Sequence, residues 1–239
     1  MRDKVYIGYI HGGMLEHDFT RCLFNLLAYD SNHARYFDGQ KIGHIKGAYL
    51  DDNRNMLAEE FLKTDNEWFL SFDTDHKFTP EMIYELIKTA QINHYPILSM
   101  LYFGELVQGE VMPVWFQHPE GEECLRSLSS LSTGQIYELD AVGMGGCLIH
   151  REVFEAFLKV PEWASDSWTW FGRDQFHWKG KTLHYGEDMC FCVRAKKLGF
   201  QTRGHSGLIL DHIKKWDLNL KMVIEKAAAK APRYGVTNV

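Results

Sequence analysis

The stretch Trp68-Phe69-Leu70-Ser71-Phe72-Asp73-Thr74-Asp75 constrains this chain more than any other. An apolar run that ends in two carboxylates one residue apart reads as a buried strand delivering acids to its C-terminal rim. In extended backbone Asp73 and Asp75 fall on the same side, roughly 6 to 7 Å apart. That spacing suits a divalent cation. The competing reading is a strand end followed by a helix cap, a role Asp fills well. Here Thr79, with Pro80 at the first helical position and Glu81 in the first turn, already supplies the cap.

Strands and helices alternate around that stretch. Lys4 to Ile10 is a β-rich run that stops at the loop His11-Gly12-Gly13, where glycines let the backbone approach a ligand. Asp18 to Tyr29 places Phe19, Cys22, Leu23, Leu26 and Leu27 at helical spacing, with Asp18 as its cap. Ala34 to Gly47 reads as a second strand with a turn. A second helix runs from Asp51 or Asp52 to Leu62, apolar at Leu57, Ala58, Phe61 and Leu62. Its first turn carries Arg54, which is either a solvated helix residue or a ligand group at the sheet rim. Pro80 to Thr89 is a third helix, and Pro96 to Tyr102 a strand apolar enough to be covered on both faces. The pattern predicts one α/β domain with a Rossmann-like, mostly parallel central sheet flanked by helices.

The second half is less regular. Val111 to Phe116 reads as an edge or bulged strand because of Pro113, and Pro119 to Thr133 as a surface excursion. Gln135 to Ala141 resumes β character and leads into Val142 to His150, whose Gly143, Gly145 and Gly146 mark either a bulge or a close approach to a ligand. Arg151 to Phe157 is a short helix. Pro161 to Tyr185 is dense in aromatics, Trp168, Trp170 and Trp178 among them, and reads as a core-covering flap or a stacking surface for a sugar or base. A helix from Gly186 carries Glu187 and Asp188 in its first turn and ends at Gly199, and a last strand around Gly207 to Leu210 runs into Asp211-His212. A tail helix is expected from Asp217 to Lys230.

Composition sets the remaining bounds. With a net charge of −6 over 239 residues, a polyanionic partner would need a local basic patch. Arg173, Lys179, Lys181, Lys214 and Lys215 are the residues available for one. Five scattered cysteines without a Cys-x-x-Cys pair suggest neither a disulfide framework nor a zinc knuckle. No apolar run reaches the roughly 20 residues of a membrane span, and the N-terminus opens into a strand. The chain is expected to be soluble and cytoplasmic.

Taken in order, the glycine loop after the first strand, Asn53-Arg54-Asn55, Phe-Asp-Thr-Asp, the glycine-rich Val142 to His150 and Gly-Glu-Asp-x-x-Phe-Cys-x-Arg-Ala-x-x-x-Gly-Phe with a terminal Asp-His resemble the GT-A glycosyltransferases. The likeness is to family-2-type and phage-encoded members, and it extends from Val5 to about His212. It implies a single GT-A domain: a nucleotide-sugar-binding half (1–103), an acceptor and catalytic half (104–215), and a C-terminal helix and tail (216–239). Asp73 and Asp75 match the Asp-x-Asp motif that binds the nucleotide-sugar and its Mn²⁺ or Mg²⁺. His212 matches a histidine that completes the metal site. Asp188 matches the general base of an inverting enzyme, with Glu187 beside it. Tyr9, Ile10, His11 and Arg54 match positions that line the nucleotide, and Gly145 and Gly146 the place where the chain passes the donor sugar. His11-Gly12-Gly13 departs from the family's usual loop. The aromatic segment with Trp168, Trp170, Trp178 and Arg173 falls where acceptor specificity varies. The implied activity is metal-dependent transfer of a monosaccharide to an acceptor hydroxyl. The alternatives are a silent nucleotide- or sugar-binding module and a nucleotidyltransferase. The likeness to phage enzymes admits a modified DNA base as acceptor, in a host cytoplasm; lipid, polysaccharide and protein are equally open.

Overall fold

The computed structural model describes residues 4–47, 49–107, 110–119, 124–164, 168–173, 175–178 and 181–213. The tail helix expected from Asp217 lies outside them, as do Lys179, Lys214 and Lys215.

The chain opens with β1 (Val5–His11), α1 (His17–Ser31), β2 (Phe37–Lys46), α2 (Leu50–Leu62), β3 (Trp68–Asp73), the two-residue β4 (His76–Lys77), α3 (Pro80–Asn93) and β5 (Ile97–Leu101). It continues through β6 (Phe103–Val107), β7 (Glu110–Pro113), β8 (Trp115–Gln117), β9 (Arg126–Ser127), β10 (Ile136–Leu139), β11 (Ala141–Val142), β12 (Cys147–His150), α4 (Arg151–Phe157) and α5 (Pro161–Ala164). The last described elements are β13 (Gln175–Trp178), β14 (Lys181–His184), α6 (Glu187–Lys197), β15 (Thr202–Ile209) and β16 (Asp211–His212).

Seven strands form one sheet in the order β10-β15-β5-β12-β3-β1-β2. The pairs β1/β2, β1/β3 and β5/β15 are parallel; β12 runs antiparallel between β3 and β5, and β10 antiparallel beside β15. Two apolar layers cover the sheet. One packs Phe19, Leu26, Ile83 and Leu86 against Leu70, Phe72 and Leu98; the other packs Leu57, Phe61, Phe154, Phe171 and Phe191 against Phe69 and Ile149. The parallel strands end at one rim, and that rim carries the site. No helix among the described residues is long and apolar enough to cross a membrane.

Several expected boundaries move. Helix α1 starts at His17 with Glu16 as N-cap, so Asp18 lies in the first turn, where it pairs with Arg21 at 3.2 Å, instead of capping. Helix α2 likewise begins one residue before Asp51, with Tyr49 at the cap. Thr79 caps α3 as expected, accepting from the Met82 N–H, and α3 runs on to a left-handed His94. The run Val111 to Phe116 divides into β7 and β8. The last long strand starts at Thr202, not near Gly207. Thr202, Gly204, Ser206 and Leu208 are its buried set, and the small or polar side chains of the first three gave no apolar signal.

Candidate active site

Strand β3 ends at Asp73, and Thr74 and Asp75 turn away toward β4. The two acids therefore do not share one side of an extended strand, as their spacing suggested, and they serve different groups. Asp73 Oδ1 accepts from Arg54 Nη2 at 3.0 Å. Asp75 Oδ2 meets His212 Nε2 at 3.0 Å.

Arg54 is the hub of the first group. It is 5% exposed, and donates through Nε to Glu187 Oε1 at 3.2 Å and through Nη1 to Ser71 Oγ at 3.4 Å. Burial disfavours its charge, and Asp73, Glu187 and Asp188 more than restore it, so its pKa is raised. The alternative of a solvated helix arginine is thus excluded. Glu187 and Asp188 lie in the first turn of α6, whose N-terminal dipole favours acids. Asp188 is partly buried and accepts the Met189 N–H at 2.8 Å. Burial first, then the Glu187 carboxylate, push its pKa up to about 6, with Arg54 opposing. Beneath lies Tyr102, its hydroxyl held well above the usual phenol range by burial and then by Asp73 and Asp188.

The second group is built by the pairing of β16 with β4, which sets His212 opposite His76. Ligand atoms of Asp75, His76 and His212 all lie within 4.8 Å of one another. His212 Nδ1 sits 2.7 Å from the Phe103 carbonyl, which can only accept, so Nδ1 carries the hydrogen. Nε2 then faces the Asp75 carboxylate at 3.0 Å, a contact that either a proton on Nε2 or a cation between the two stabilises. One carboxylate and two imidazoles are a mixed oxygen and nitrogen donor set that fits Mn²⁺ better than Mg²⁺. Asp73, expected among the metal ligands, is instead engaged with Arg54. His76 was missed although it directly follows Asp75 in the sequence; a histidine adjoining two acids was the available signal.

The two groups meet in a cavity of about 1130 Å³ whose lining includes Ile10, His11, Lys46, Asn53, Arg54, Asp73, Asp75, Tyr102, Glu105 and His212. Glu187 and Asp188 are not in that lining; Glu187 is bonded to Arg54, which is. Gly145 packs between the two groups, where a Cβ would lie 2.2 Å from the His76 ring and 2.8 Å from Asp73 Oδ2. The glycine there makes room for both groups. Gly146 donates its N–H to Ser71 O at 2.8 Å and abuts Leu210, so it belongs to the sheet junction.

Other expected residues lie apart. The Tyr9 side chain points into the apolar layer beside Phe19, because β1 alternates and Ile10 takes the opposite face. Trp170 is 4% exposed and donates Nε1–H to the Phe154 carbonyl at 3.0 Å, which makes it core and not a stacking platform. Trp168 is exposed and pinned to Asp52 by its indole N–H at 2.8 Å. Arg173 is tied to buried Asp51 at 2.7 Å, which takes it from the basic patch. Trp178 and Lys181 are register partners in the β13/β14 hairpin.

No protein-family model matches the sequence, and no curated protein matches it. Solved structures do. A197 from STIV aligns with 89% of this chain over 86% of its own, at 16% identity and a TM-score of 0.57. GalNAc-T7, solved with UDP, GalNAc and Mn²⁺, aligns with 90% of this chain over 44% of its own, at 9% identity and a TM-score of 0.55. The chain has a GT-A-like fold.

Proposed function

We propose that this chain is a glycosyltransferase that moves a monosaccharide from a nucleotide-sugar to an acceptor hydroxyl in a metal-dependent, inverting reaction. The observation that carries the reading is that one cavity is lined by members of both charge groups: Asp75 and His212, with His76 behind them, and Asp73 and Arg54, which ties Glu187 to them. A volume of about 1130 Å³ suits a ligand of nucleotide-sugar size. The UDP and Mn²⁺ of GalNAc-T7 support the same assignment by likeness of fold.

Asp75 and His212, with His76 beside them, would hold Mn²⁺ or Mg²⁺. Such an ion supplies Lewis-acid stabilisation of charge on a departing diphosphate. The chain's own residues do the rest. Arg54 holds Asp73 and Glu187 in place and offsets their charge. Asp188, ionised above about pH 6, removes the acceptor's proton as the bond to the sugar forms. The absence of Asp188 from the cavity lining favours a second reading, a nucleotide- or sugar-binding module without catalysis.

Calorimetry with UDP and GDP tests the first step: binding should require Mn²⁺ or Mg²⁺ and vanish with EDTA. Metal-independent or absent binding counts against the assignment. Asp188→Asn should keep diphosphate binding and lose transfer or donor hydrolysis by about 100-fold or more. Binding without any hydrolysis in the native chain would establish the silent module.

A further inference from the structure

One aromatic side chain stands between the two charge groups. Tyr102 lies one residue past the end of β5, lines the cavity and is 5% exposed. Its ring meets the His76 ring at a centroid distance of 4.5 Å and the His212 ring at 5.7 Å, inclined at 62° and 87°. The two imidazoles are themselves 4.6 Å apart, so the three rings close a triangle. His76 and His212 come from β4 and β16, which pair over only two residues. Edge-to-face packing on one shared ring resists rotation of either imidazole where so short a ladder does not.

The phenol is held at both ends. The Tyr102 carbonyl accepts the Val114 N–H at 3.0 Å, and its hydroxyl oxygen accepts the Gly145 N–H. The hydroxyl also fills the space that a side chain at residue 143 would need. A Cβ on Gly143 would overlap the hydroxyl oxygen and lie 2.8 Å from Cζ. Gly143, which the sequence left open between a bulge and a close approach to a ligand, thus makes room for this tyrosine.

We infer that Tyr102 is a positioning residue of the cation site: its ring, seated by the Gly143 to Gly145 backbone, holds the His76 and His212 imidazoles in the orientation that accepts a divalent cation. The inference rests on the proposed function in taking Asp75, His76 and His212 as the metal ligands. An imidazole ligates along one direction in its ring plane. Rings free to turn must be ordered as the cation arrives, and that ordering is lost from the affinity.

The test is calorimetric titration of the full chain with Mn²⁺ in the absence of nucleotide. Tyr102→Leu, which removes the ring, should weaken Mn²⁺ binding by about 10- to 100-fold. Tyr102→Phe keeps the ring and should hold the affinity within about threefold. A residue needed only for folding would show its loss in urea unfolding of the metal-free chain and leave the Mn²⁺ affinity of the folded protein unchanged. Gly143→Ala should weaken Mn²⁺ binding too, because its Cβ displaces the hydroxyl, and adding Tyr102→Phe should recover most of that loss. This pair decides the matter if Tyr102→Leu does not fold. A loss below about tenfold in folded Tyr102→Leu, or a Gly143→Ala loss that Tyr102→Phe does not relieve, overturns the inference and leaves the metal reading standing. Absence of Mn²⁺ binding by the native chain overturns the metal reading, and the inference with it.

Discussion

Burial and the Glu187 carboxylate push the Asp188 pKa up to about 6, while Arg54 pulls it the other way. A carboxylate whose folded pKa lies above its unfolded one destabilises the fold when ionised. The stability it contributes is fully present below the unfolded value near pH 4 and is lost as pH rises through about 6. Asp188→Asn keeps the oxygen that accepts the Met189 N–H and removes the charge. The variant should therefore be more stable than the native chain at pH 8, by roughly 1 to 2 kcal/mol after allowance for partial exposure. The difference should close near pH 4. Urea unfolding at the two pH values measures it; a variant less stable than the native chain at pH 8 would refute this account of the Asp188 environment. The position was legible in the sequence as an acid in a helix first turn, because the α6 pattern is local. Its raised pKa was not legible: the first cause is burial, which only the folded chain supplies, and Arg54 and Asp73, which oppose and reinforce the rise, come in from far away.

At the scale of elements, α2 is tied to the segment 168–173 by one side chain. Asn55, buried at 3% exposure, accepts the N–H groups of Trp170 and Phe171, both at 3.1 Å. Its amide donates to the Phe171 carbonyl at 2.8 Å and to the Asp51 carbonyl at 2.9 Å. All four hydrogen-bonding positions of the carboxamide are used. Arg194 of α6 secures the same segment by donating to the Trp168 and Thr169 carbonyls at 2.9 and 3.2 Å. The segment thus staples the helix bearing Arg54 to the helix bearing Glu187. Asn55→Ala should cost about 3 to 4 kcal/mol, because it strands two N–H groups and a carbonyl in the core. The loss should appear in urea unfolding together with faster proteolysis between Trp168 and Arg173. A loss under about 1 kcal/mol would show that water replaces the amide. The sequence alone left this segment open between flap and stacking surface, since aromatic density marks burial and ligand stacking equally. The flap reading holds for Trp170, and the deciding contact lies 115 residues away in sequence.

For the whole molecule, the alternation of strands and helices in the first hundred residues made the Rossmann-like character readable. The antiparallel insertion of β12 between β3 and β5 was not, because strand pairing at that separation leaves no local pattern. The same holds for the ion pairs that cross the sheet rim. Arg54, Asp73 and Glu187 come from α2, β3 and α6, and the Arg54 to Glu187 bond spans 133 residues. It joins the segment expected to bind the donor to the segment expected to carry the chemistry. Asp73 and Glu187 side chains are only 28% and 14% exposed, and Arg54 is their shared cation. Arg54→Met should therefore destabilise the chain by about 3 to 5 kcal/mol, since it leaves partly buried carboxylates without their counter-charge. Adding Asp73→Asn and Glu187→Gln to that variant removes the uncompensated charge and should recover a large part of the loss, although each alone in the native background is destabilising. Such a sign reversal is a coupling that independent sites do not show. Chemical unfolding of the native chain, the single variants and the triple variant measures it. Strictly additive losses would mean that the three residues act separately and that the Arg54 bridge does not hold α6 at the rim.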